Sequence, residues 1–128
     1  MKRATILVLI SLFFGITAHA QNSQRQKMIH MAAIRIAETI QVQEPDRDAF
    51  ITLYQNYKKE SAAIMAVKTQ PTGEADKDAE ARILSDFEKS TKLLELRKQY
   101  YWEFRKILSP VQIQRMYEAE RNAAASAR

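Results

Sequence analysis

Three prolines, set in a chain with almost no glycine, constrain this sequence more than any other feature. Pro45, Pro71 and Pro110 divide it, and beyond residue 20 the only glycine is Gly73. Proline lacks a backbone N–H and clashes with the preceding turn, so each proline marks where a helix ends or starts. None of the four resulting segments sustains a period-two alternation bounded by turn pairs, which argues against strands. Each instead repeats its apolar residues at steps of three and four. The predicted fold is all-α, with four helices and one long third helix.

The first segment, from about Gln24 to Ile40, sets Ile29, Ala33, Ile36, Ala37 and Ile40 on one face, widened by Met28, Met31 and Ile34. The second, about Asp46 to Thr69, carries Phe50, Leu53, Tyr54, Tyr57, Ile64 and Val67, with Asp46 or Glu44 as its cap. The third, about Glu74 to Leu108, is roughly 50 Å long at about 1.5 Å per residue. Its main stripe reads Ile83, Phe87, Leu94, Tyr101, Phe104 and Leu108, with Leu93, Leu96, Tyr100 and Ile107 beside it. Pairs four residues apart support it: Asp78 with Arg82, Arg82 with Asp86, and Glu88 with Lys92. A helix of this length outruns a four-helix core, so part of it is expected to be exposed or paired with another subunit.

The third segment is also split in charge. Residues 74–88 are mainly acidic and residues 92–106 mainly basic. Macrodipole compensation acts on the first and last turns, and this gradient runs over both halves. An antiparallel pairing of two such helices would set acid against base, as a two-fold contact requires. The sequence therefore predicts an antiparallel homodimer.

Leu108-Ser109-Pro110-Val111-Gln112-Ile113 is a helix joint. Ser109 is a favoured N-cap, and Gln112 three residues on completes a capping box. Pro110 takes the first helical position, where its missing N–H costs nothing. Leu108 and Ile113 form a hydrophobic staple across the cap. Leu108-Ser109-Pro110-Val111-Gln112, continued by Met116-Tyr117-Glu118, resembles the LTxxQ-type motif of the Spy/CpxP-like family of small periplasmic helical proteins, with Ser109 in place of the commoner Thr. The family often carries a second motif. Aligning Val42 with Leu108 puts Phe50 on Met116, although the Thr and Gln are missing from this first copy. The resemblance implies a hook-shaped helical subunit that dimerises into a curved cradle. It also implies activity as an ATP-independent chaperone or an accessory regulator of envelope stress.

Residues 1–20 read as a cleaved secretory signal: Met1-Lys2-Arg3, an apolar run from Ile6 to Ile16, and Ala18-His19-Ala20 before the cut. The run is too short to span a bilayer, which takes about 20 residues. A single helical domain is expected over 21–122, with 123–128 a frayed C-terminal tail. Lys2 and Arg3 leave with the signal, so 18 basic residues face 15 acidic ones, a mildly basic balance of +3. Export makes nucleic acid an improbable partner, and localisation is expected to be periplasmic, with no integral membrane segment after cleavage. With no cysteine, stability must come from helix packing.

No catalytic constellation is present, and the chain is not expected to be an enzyme or to need a cofactor. There is no phosphate loop and no cysteine nucleophile, and one histidine follows the signal. No metal site is expected either; His30, beside Met28 and Met31, is the weak candidate. The candidate binding surface is the aromatic and basic run from Arg97 to Lys106. Its residues Arg97, Lys98, Tyr100, Trp102, Arg105 and Lys106 wrap nearly three turns and cannot all face one core. Lys58, Lys59 and Lys68 add positive charge on the second segment. Such a surface would hold unfolded or envelope proteins loosely, long-range attraction speeding capture and scattered apolar contacts tolerating many sequences. Two other readings remain open: a regulatory module for a membrane-bound sensor or anti-sigma system, and a metal-responsive periplasmic sensor.

Overall fold

A computed structural model describes residues 22–127, among which there are four helices and no strand. They are α1 (22–39), α2 (Arg47–Met65), α3 (Ala75–Phe104) and α4 (Pro110–Ser126). The signal-peptide reading lies outside the described residues. No helix among them is long and apolar enough to cross a membrane.

The described residues divide into two units, 22–32 and 33–127. In the first, residues 22–32 are helical and mostly exposed, including Met28 and Met31. The second unit carries the core. Ala33, Ile36, Ala37 and Ile40 of α1 are buried there at the spacing the sequence predicts.

α2 and α3 run antiparallel and pack through aromatic rings. Phe50 lies against Phe104 at 5.8 Å between ring centroids, and Tyr57 lies against Tyr100 at 5.3 Å. Tyr57 also meets Phe104 edge-on at 6.1 Å, the geometry in which a positive ring edge faces a negative ring face. Leu96, Leu108, Ile113 and Met116 close the cluster. No polar or charged residue among those described is buried, so the core is wholly apolar apart from tyrosine hydroxyls at its rim.

The joint forms as predicted. Ser109 Oγ accepts from the Gln112 backbone N–H at 3.2 Å, and Gln112 Oε1 accepts from the Ser109 N–H at 2.9 Å. Leu108 and Ile113 are both buried. Gln112 does more than close the box. Its amide nitrogen donates to the carbonyls of Ile40 at 3.1 Å and Gln41 at 3.3 Å, tying the start of α4 to the end of α1. The fainter repeat holds in position: Val42 and Phe50 are buried, as are Leu108 and Met116.

Asp46 takes the N-cap position of α2, as expected, without a side-chain capping bond. Two local readings change. α2 stops at Met65, short of Thr69, because Pro71 pushes its predecessor out of the α region and Val67 and Thr69 are β-branched. α4 runs through the alanines to Ser126, past the predicted fraying point, and its last turns are exposed. Between α2 and α3, Asp78 organises the turn by accepting from the Thr72 N–H, the Thr72 hydroxyl and the Gly73 N–H. Gly73 stands at φ +87°, where a side chain would be strained.

Candidate partner-binding surface

The core draws on both stripes of α3 rather than on the main one alone. Leu96 is buried and Leu93, Tyr100 and Ile107 half-buried, so the second stripe of the sequence reading enters the core. Of the main stripe, Phe104 and Leu108 are buried and Tyr101 packs against the core, whereas its first three members stay outside. Ile83, Leu84, Phe87 and Leu94 are 53%, 56%, 64% and 53% exposed. The reason is angular. At about 100° per residue, Ile83, Phe87 and Leu94 fall within a 40° sector, well over 100° from the Leu96–Tyr100 direction. One helix cannot turn both sectors toward α2.

The predicted binding residues are distributed over several faces. Tyr100 packs half-buried against the core, its ring tilted against those of Tyr57 and Phe104. Arg97 lies over the Tyr117 ring of α4 at 4.3 Å, a cation–π contact. Lys58 is bonded to Glu120 at 2.9 Å, and the same carboxylate accepts from the Tyr54 hydroxyl at 3.2 Å. Arg105 donates to the Leu108 carbonyl at 2.9 Å, which places it in the joint. Lys106 pairs with Glu103 at 3.0 Å. Lys59 is exposed on α2.

Lys98 and Trp102, one turn apart, are both exposed, and Trp102 at 67% is the most exposed aromatic of this run. They continue the outward sector of α3 begun by Ile83, Leu84 and Phe87. The result is one exposed face along the helix. It opens with Asp76 and Glu80, is apolar from Ile83 to Leu94, and ends with Lys98, Trp102 and Arg105. Scattered apolar residues on a surface need no explanation, but a line of them along one helix makes this face the candidate contact surface. The sequence signal for its apolar half was present: α3 carries more apolar positions than a single core-facing sector can hold.

His30 is exposed, and no group of three His, Cys, Asp or Glu among the described residues could hold a metal ion. Compared with known proteins, the chain matches no family model, no curated protein and no solved structure.

Proposed function

We propose that this protein is an exported, ATP-independent chaperone or envelope-stress accessory protein of the Spy/CpxP-like kind, working in the periplasm. It holds unfolded or partner proteins on the outward face of α3. The observation that carries the reading is that face itself, where Leu84 and Trp102 stand exposed with the cation of Lys98 between them. Apolar side chains in shallow, unselective contact bind many sequences weakly, and the cation draws acidic segments in. The motif at Leu108–Gln112 supports the same family reading.

Two copies pair antiparallel along α3 in this proposal. A two-fold axis passing between Ser90 and Thr91 sets Phe87 opposite Leu94 twice and brings Asp76 opposite Arg105. Acidic and basic halves then face each other, as a self-complementary contact requires. The seam occupies the sector of Ile83, Phe87 and Leu94, while Leu84, Lys98 and Trp102 lie along its edge and stay open to clients.

The test is suppression of aggregation of a chemically unfolded enzyme by purified residues 21–128 without ATP, at low and high salt. Suppression at equimolar amounts, weakened by salt and by Lys98→Glu, is the expected result. No suppression under any condition removes the chaperone reading and leaves the regulatory module.

A further inference from the structure

A second feature lies on the other side of α3 and is independent of the proposed client surface. Where the chain leaves α2, a cavity of about 390 Å³ opens against α3. Met65 and Val67 give it an apolar wall, and both are more than half exposed. Lys68 from the connecting segment and Arg82 and Lys89 from α3 stand around it, against one acid, Asp86. Arg82, Asp86 and Lys89 follow at steps of four and three, so they share one side of the helix. None of the three cations is in a salt bridge with any described residue, whereas neighbouring Lys92 is paired with Glu88 at 2.9 Å. The apolar wall continues past Val67 to Ile64, in an adjoining cavity of about 260 Å³ that Lys89 also lines.

The volume falls in the range of small-molecule sites, about 300–1,000 Å³. An apolar wall with three cations at its rim, none of them in a salt bridge, suits a single alkyl chain ending in an anionic head. We propose that this groove binds anionic single-chain amphiphiles, carboxylate- or phosphate-headed, with the tail along Met65, Val67 and Ile64 and the head between Lys68, Arg82 and Lys89.

The test is titration calorimetry of residues 21–128 with dodecanoate and with dodecyl phosphate, each below its micelle-forming concentration. Dodecyl maltoside serves as the neutral probe. One-to-one binding of at least one anion, more than tenfold tighter than the maltoside, is expected. The preferred head then distinguishes a fatty acid from a phosphate-headed lipid. Lys68→Gln/Arg82→Gln/Lys89→Gln is expected to weaken binding at least tenfold with its helical circular dichroism intact, since these side chains hold no ion pair in the fold. Arg115→Gln, which removes an exposed cation from α4 away from the groove, should leave binding unchanged. Equal affinity for the maltoside, unchanged affinity in the triple variant, or loss of binding in Arg115→Gln would each overturn the assignment. Aggregation suppression can fail without touching this result, because the two surfaces share no residue.

Discussion

At the scale of single residues, Gln112 carries the most structure for its size. Its side chain takes one hydrogen bond from the Ser109 N–H and gives its amide protons to Ile40 and Gln41. Gln112→Ala should cost about 1–3 kcal/mol, since it leaves partly buried backbone groups unpaired. Gln112→Glu is the sharper variant: it keeps the acceptor for Ser109 but sets a carboxylate against two carbonyls, and should be at least as destabilising by urea melt. Ser109→Ala should cost about 1 kcal/mol, the usual value of a lost N-cap. The tyrosines give a pH signature. Burial, helped by the Glu120 charge, pushes Tyr57 up to about 12. Burial, with a hydrogen bond to Glu60, takes Tyr100 to about 12. Tyr54 is raised further by burial and by Glu120. The folded state thus holds protons that the unfolded chain releases near 10, so stability is fully present below about pH 10 and falls as pH rises toward 12. Absorbance titration should show these phenolates appearing late, together with unfolding; phenolates that all titrate near pH 10 in a folded protein would contradict this. The Gln112 box was legible in sequence because a cap is a local pattern. Its bond to Ile40 was not, because that partner is 72 residues away and nothing in the spacing of either segment encodes it.

At the scale of helices, the number of elements and their start points followed from three prolines and the apolar period. What the period could not decide was which members of the two stripes of α3 are core. Both stripes repeat at helical steps, and the core takes residues of each where the rings of α2 stand: Phe50 and Tyr57 select Phe104 and Tyr100. The consequence is measurable by urea melts of the monomer, at nanomolar concentration and 500 mM salt. Phe104→Ala should cost about 3–5 kcal/mol, the range for a buried phenylalanine. Phe87→Ala, although equal in chemistry, should change the stability of the isolated subunit by less than about 0.5 kcal/mol. Equal costs for the two would mean that the exposed stripe is packed against something in the subunit after all. Lys58 teaches the same lesson for the candidate surface. Read in sequence it is one of a pair of cations, but an α4 carboxylate claims it and leaves Lys59 and Lys98 as the cations open to a partner.

At the scale of the whole molecule, a helical unit with a wholly apolar core carries one long helix whose outward face meets no neighbour among the described residues. Antiparallel pairing along that face predicts a dimer whose affinity falls with salt, because surface charges more than about 10 Å apart are screened at 0.1 M. Sedimentation equilibrium at 20 mM and 500 mM salt checks it. Phe87→Asp, which places a charge at the centre of the proposed seam, should yield a monomer at both. A monomeric wild-type chain at micromolar concentration in low salt would refute the pairing. The central claim is that clients lie on the outward face of α3, and Trp102 reports on it directly because it is the only tryptophan in the chain. With an unfolded client that lacks tryptophan, the fluorescence of Trp102 should shift to the blue and become protected from acrylamide as binding saturates. Leu84→Glu should weaken that change severalfold. Emission that stays at its solvent-exposed position while aggregation is suppressed would place the clients elsewhere and contradict the account.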